Sequence, residues 1–247
     1  MNRMRIACLP LLLVVLALPA AEPAFSVLAF SRTAGFRHGS IASGQRMLAE
    51  LGGQHGFAVT ASEDAALFTA DALARHRVVV FLCTTGDVLD ETQQRAFEAF
   101  IRAGNGFVGI HSATDTEYEW PWYAALVGGQ FNGHPHNQDA VLTVVDRTHP
   151  STAHLGETWK RHDEWYNFKN LDDRVTVLLT LDESTYQGGT NGAYHPACWY
   201  HEYDGGRAWY TAGGHTDESY AEPDFRAHVL GGIRWAAGVG EKSATGD

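Results

Sequence analysis

The chain has 247 residues, 45% of them apolar and 19% charged, a balance that supports a packed core and excludes a disordered tail or a coiled coil. With 18 basic against 29 acidic residues the formal charge is −11, which opposes binding to nucleic-acid phosphates. Three cysteines are too few for a disulfide scaffold, whereas 13 histidines are many, and they sit mostly in Gly-rich turns.

Residues 1–21, MNRMRIACLPLLLVVLALPAA, open with Arg3 and Arg5, run apolar from Ile6 to Leu18 and end on Ala20 and Ala21. That is the layout of a secretory signal peptide, so the expectation is a secreted or periplasmic protein with residues 22–247 as one α/β domain. The apolar run is short for a membrane span, and no later stretch approaches 18 apolar residues. An uncleaved anchor is the alternative reading. Cys8 lies inside the run. Cys83 and Cys198 remain, and an oxidising compartment permits them to pair without the sequence showing whether they meet.

Phe25–Phe30 reads as a buried strand. Ser40–Gln54, with Ile41, Met47, Leu48 and Leu51 on one face, reads as a helix stopped by Gly52-Gly53. Phe57–Ala61 is a second strand. Arg77–Thr84 is a continuous β-branched run, as in a central parallel strand covered on both faces. Asp90 caps a helix that carries Ala96, Phe97, Phe100 and Ile101 at helical spacing and runs to Ala103. Phe107–His111 is the next strand. Alternation at this pitch means βαβ units and a parallel sheet. Ala140–Val145, Val175–Leu181, Ala197–Tyr203 and Arg207–Ala212 read as further strands, with Asp204-Gly205-Gly206 a hairpin signal between the last two. Phe225–Ala237 closes the chain as an amphipathic helix. The predicted fold is a flavodoxin-like three-layer sandwich with a mostly parallel sheet and an antiparallel extension.

Ligands of open α/β sheets bind beyond the carboxyl ends of the strands. The turns there are Ser31–His38, Cys83–Asp87, His111–Asp115 and Gly213–Asp217, polar and rich in small residues, three of them with a histidine. Two further segments are Gly128–His136, with His134 and His136 facing the same way if extended, and His162–Tyr166, with Asp163 and Glu164 adjacent. Single histidines such as His55, His76, His149, His154, His195, His201 and His228 read as turn or satisfied polar residues. Asp163-Glu164 reads equally well as a solvated pair. The candidate signal is the group His38, His111, His134 and His215. Trp120, Trp122, Tyr123 and Trp165 fit core packing, though flat aromatics beside a polar cleft also suit a pyranose ring.

At these residues the chain resembles the ThuA-like (trehalose utilisation) family, related in fold to class I glutamine amidotransferases. The segments that carry the resemblance are SRTAGFRHGSI (31–41), residues 84–116, WPWYAALVGGQFNGHP (120–135), residues 148–168 and GGRAWYTAGGHTDESY (205–220). The resemblance implies a flavodoxin-like fold, a link to disaccharides or their 3-keto derivatives, and functional positions at His38, His111, His134, Glu164 and His215. It departs from the amidotransferases at the turn after Phe107–Ile110. Those enzymes place a nucleophilic cysteine there, and this chain has His111-Ser112. Glutamine hydrolysis through a thioester is thereby disfavoured.

The leading expectation is a sugar-active lyase, isomerase or hydrolase with His111, His215 and Glu164 in acid/base roles. Arg37, Thr85, Ser112, Asp115, Trp122 and Trp165 are the candidate substrate contacts. His38, His111 and His134 are candidate ligands for a divalent metal such as zinc, although no H-x-x-x-H or H-E-x-x-H spacing supports one. The partner is a small carbohydrate, and a homo-oligomer is left open. A non-catalytic carbohydrate-binding protein or accessory subunit of a sugar oxidoreductase is the alternative. A binding module needs no titrating groups facing one another, and the enzyme reading weakens if His111 and His215 point into separate pockets. A cofactor-binding flavodoxin-like module is disfavoured, because no G-x-G-x-x-G follows the first strand.

Overall fold

The computed structural model describes residues 22–239; the signal-peptide reading of residues 1–21 lies outside them. The parallel half of the sheet contains β1 (Ser26–Phe30), β2 (Ala58–Ser62), β3 (Val78–Leu82) and β4 (Gly106–Ile110). The later strands are β5 (Gln130–Phe131), β6 (Gln138–Val144), β7 (Thr158–Asp163), β8 (Phe168–Lys169), β9 (Thr176–Leu181), β10 (Pro196–Tyr203) and β11 (Gly206–Thr211). Nine of them form one sheet in the order β2-β1-β3-β4-β11-β10-β9-β6-β7, and β5 pairs with β8 separately. The first five in that order are mutually parallel and the remaining four antiparallel. β3 is buried at all five positions, as its continuous apolar run requires.

The helices are α1 (Ile41–His55), α2 (Ala70–Leu73), α3 (Glu91–Arg102), α4 (Pro121–Val127), α5 (Asp217–Ala221) and α6 (Pro223–Ala237). Neighbouring residues of β4 show that α3 and α6 lie on opposite faces. A Cβ at Gly106 would meet the α6 carbonyl of Ala236 at 2.4 Å, whereas the Phe107 ring packs on Phe97 of α3 at 6.2 Å. Gly106 is therefore required by the close approach of α6. The α3 side of the core is aromatic: Phe81 touches Phe30, Phe68, Phe97, Phe107 and Tyr123.

Local signals explain most boundaries. Asp90 Oδ1 accepts from the N–H groups of Thr92 and Gln93, and Gln93 Oε1 accepts from the Asp90 N–H, a reciprocal cap on α3. Asp204 and Gly205, at φ 48° and 89°, form the two-residue turn joining β10 to β11. α1 does not stop at Gly52-Gly53. It continues to His55, with Gly56 as its left-handed cap at φ 74°, and Gly52 is needed because a Cβ there would meet the Phe57 carbonyl at 2.6 Å. β7 and α4 were not anticipated. Among the described residues no helix is long and apolar enough to cross a membrane.

The antiparallel half curls back. β7 stands four places from β11 in the sheet, yet Asp163 at its end bonds the backbone of Gly214 and His215, just after β11. Arg161 of β7 pairs with Glu222 at 2.7 Å and lies over the Phe225 ring at 4.4 Å, which ties the curled edge to the start of α6.

Candidate functional site

The turns after β1, β4 and β11 meet at the carboxyl rim of the sheet, and the segment after β7 closes over them. His111 follows β4 directly with φ 54°, a left-handed backbone that costs a non-glycine residue about 1–3 kcal/mol and is held here by its surroundings. Its Nδ1 lies 2.9 Å from the Ala212 carbonyl, so Nδ1 carries a proton and donates, leaving Nε2 to face the site, as a lone pair in the neutral ring and as a donor to Glu164 in the protonated one. His215 comes from the loop after β11, where Gly214 at φ 117° turns the chain. That loop is held by Asp163: Oδ2 accepts from Gly214 N–H at 2.8 Å and from Ser219 Oγ at 2.8 Å, and Oδ1 from His215 N–H at 3.0 Å.

Glu164 is the hub. Oε2 lies 3.1 Å from His215 Nδ1 and 3.4 Å from His111 Nε2, and Oε1 lies 3.0 Å from His134 Nδ1. Burial pushes its carboxyl up, but the hydrogen bonds and charges of His111 and His215 win, holding it well below the usual carboxylate range. The same pairing raises the His215 imidazole against the opposing effect of burial. His38 is edge-on to both His111 and His215, with ring centroids 4.7 and 5.2 Å away. Burial, then repulsion from those two rings, lowers it to about 3.

Above this floor is an open pocket of about 270 Å³, lined by Phe36, His38, Asp115, Phe131, His134, Glu164, Tyr166 and His215. Tyr166 lies against His111 at 4.4 Å and Phe131 at 4.3 Å. Phe36 is 65% exposed at the mouth, edge-on to His38. Asp115 accepts the Tyr118 hydroxyl at 2.5 Å, and burial raises its carboxyl pKa despite that bond.

The structure thus brings together His38, His111, His134, Glu164, His215 and Asp115. The group whose ligand atoms lie within 4.8 Å of one another is His38, His111, Glu164 and His215; His134 stands outside it, on the other oxygen of Glu164. Five candidate substrate contacts lie elsewhere or behind the surface. Arg37 is spent on a two-pronged pair with Glu63 at 2.7 and 2.9 Å. Thr85 is buried and donates to the Phe36 carbonyl at 2.8 Å, holding the β1 turn. Trp165 is 0% exposed, its indole N–H donating to the Gln138 carbonyl, so it offers no face to a sugar. Trp122 binds Asp204 in the β10–β11 turn, at the end of the strands opposite the rim. Ser112 is buried 3.4 Å from His38 Nδ1 and touches the site only through that ring.

Cys83 and Cys198 are free and buried. Burial pushes the Cys83 thiol up to about 12, beside the Tyr220 hydroxyl at 3.3 Å, which leaves it unsuited to nucleophilic work. Phe36, Phe131, Tyr166 and Asp163 went unselected in the sequence. Phe36 had a signal, an aromatic inside a Gly-containing strand-end turn. Asp163 had one too, its adjacency to Glu164.

Residues 26–236 match the ThuA family model, described as trehalose utilisation. The chain belongs to the ThuA family. Two ThuA-like structures share the fold: one from Bacteroides uniformis (22% identity, TM-score 0.75, covering 89% of this chain and 94% of that one) and one from Parabacteroides merdae (19%, 0.72, 92% and 94%). A beta-galactosidase from Bacillus circulans sp. alkalophilus carries a similar fold in part of its length (14%, 0.58, 90% of this chain and 32% of that one). No curated protein matches the sequence significantly. The turn directly after β4 opens on His111.

Proposed function

We propose that this pocket is the active site of an exported carbohydrate-metabolism enzyme acting on a disaccharide or its 3-keto derivative. The observation that carries the reading is the buried Glu164 carboxylate shared by three imidazoles at the base of an aromatic-rimmed pocket. Membership in a family described as trehalose utilisation supports a disaccharide substrate. The chemistry is proton transfer at the carbon beside the keto group, or at the glycosidic oxygen. Glu164 with His111 and His215 forms the charged floor. His134 is the proton carrier at the mouth: its Nδ1 faces two acceptors, Glu164 Oε1 at 3.0 Å and the Pro135 carbonyl at 2.8 Å, so Nδ1 keeps its proton and Nε2 is free to accept one. A pocket of about 270 Å³ suits a single sugar ring, since drug-sized ligands need about 300 Å³ or more. Phe36, Phe131 and Tyr166 offer the apolar faces that a pyranose stacks upon.

The test is incubation with trehalose and with 3-keto-trehalose, followed by mass spectrometry of products. Turnover of either, abolished in His111→Ala, is the expected result. Saturable binding without turnover would instead identify the alternative, a carbohydrate-binding or accessory subunit. Export is tested separately, by expressing the full chain and measuring whether the exported mass corresponds to cleavage after Ala21.

A further inference from the structure

His111 Nε2, His215 Nδ1 and Glu164 Oε2 form a nearly equilateral triangle with edges of 3.2, 3.1 and 3.4 Å. The donor inventory makes this triangle unusual. His111 Nδ1 spends its proton on the Ala212 carbonyl, so a neutral His111 turns a bare lone pair toward a carboxylate oxygen. Three acceptor atoms at such separations repel one another unless a positive centre lies among them. One proton on His215 satisfies one edge or two, but a cation at the middle satisfies all three.

The spacing matches a metal. A tetrahedral ion with bonds of about 2.0–2.1 Å sets its ligand atoms about 3.3 Å apart. A ring nitrogen of His38 lies within 4.8 Å of the other three atoms, on the side from which a fourth ligand would come. The surroundings are those of a held site. The Ala212 carbonyl fixes the tautomer of His111, Asp163 clamps the His215 backbone, and His134 orients Glu164 from its other oxygen. The floor opens on one side into the pocket, where a substrate oxygen would approach.

We infer that His111, Glu164 and His215, with His38 beside them, bind one divalent first-row transition metal of the zinc class. Three imidazoles and one carboxylate favour such an ion over magnesium or calcium, which prefer all-oxygen shells. When bound, the ion would supply Lewis-acid polarisation of a substrate carbonyl or hydroxyl. This deepens the proposed function and rests on it only for that catalytic consequence. His134 and Asp115, outside the triangle, remain free for proton transfer.

The experiment measures the metal itself. Protein purified without a chelating tag is stripped with a chelator and titrated calorimetrically with zinc, and its metal content after dialysis is determined by elemental analysis. Cobalt substitution adds the visible absorption of a tetrahedral site. The expected result is one ion per chain, a raised Tm on loading, and affinity reduced at least about a hundredfold in both Glu164→Gln and His215→Ala, since even residues that only orient ligands cost ten- to a hundredfold. His136→Ala, on the exposed loop, should bind as the parent does. Substoichiometric uptake, or equal affinity in the parent and in folded Glu164→Gln, overturns the inference. Stoichiometric binding without turnover of keto-sugars would leave the site standing and remove the proposed function. Full turnover by the stripped protein would keep that function and overturn the ion's part in it.

Discussion

His134 meets Glu164 through the oxygen that the other two imidazoles leave alone: Nδ1 lies 3.0 Å from Oε1, while His111 and His215 share Oε2. Glu164 thereby links a buried floor to a ring whose side chain is 42% exposed. A proton carrier must reach both substrate and solvent, and His134 is more exposed than His215, whose side chain is 23% exposed. His134→Ala is expected to fold normally and lose turnover by about 10²–10⁴-fold, the usual worth of a positioned acid or base. Single-turnover kinetics on a keto-disaccharide check this. A rate within threefold of the parent would remove His134 from the reaction.

Phe36 lies at the mouth, mostly exposed, with its backbone carbonyl held by Thr85. An exposed ring contributes little to folding, so its value is in what it covers. Phe36→Ala should leave Tm unchanged and raise KM by about three- to tenfold, corresponding to an aromatic contact of about 0.5–1.5 kcal/mol. A fall in kcat at unchanged KM would show that the ring does not stack on the substrate.

The parallel half of the fold was legible because its strands are uninterrupted apolar runs and its turns carry glycine and acid signals. The same regularity placed His38, His111 and His215 on one rim, since β1, β4 and β11 are parallel. Glu164 was harder. It is delivered by β7, whose inward residues are Trp159, Arg161 and Asp163 and whose outward ones are Thr158, Lys160 and His162. Two of the three buried positions are charged, so no apolar alternation marks the strand, and only the curl of the sheet carries its end to the rim. The tryptophans misled for a related reason. Residue type reveals an apolar face but not where it points, and Trp122 and Trp165 are both committed through their indole N–H groups.

Asp163 and Arg161 are both buried, at 3.4 Å, and Asp163 also accepts from two backbone N–H groups and Ser219. Replacing the carboxylate leaves Arg161 without that partner while its other pair, with Glu222, remains. Asp163→Asn is expected to cost about 3–5 kcal/mol, as the removal of one partner from a buried ion pair does. It should also release the His215 loop. Urea denaturation measures the first effect. An amide exchange rate at Gly214 and His215 as slow as in the parent would refute the second.

His228 sets an acid limit on stability. It is 0% exposed on α6, with Nδ1 2.8 Å from the Ser151 carbonyl and Nε2 3.2 Å from Thr211 Oγ1, and its ring lies 4.9 Å from that of Trp209. Burial, with Arg161 adding repulsion, lowers its pKa to about 3. The unfolded chain takes up that proton near pH 6.5, whereas the folded protein resists it until about pH 3. In that window the unfolded state binds more protons, so the contribution of this group is complete above pH 6.5 and is lost as pH falls. The slope is about 1.4 kcal/mol per pH unit for one fully suppressed protonation. Carboxylates add to the acid loss in the parent, so the comparison is with His228→Gln. Its stability should be lower at pH 7, and its decline from pH 6 to pH 4 should be shallower by about two such units. Parallel curves for parent and variant would mean that His228 is protonated in the folded protein.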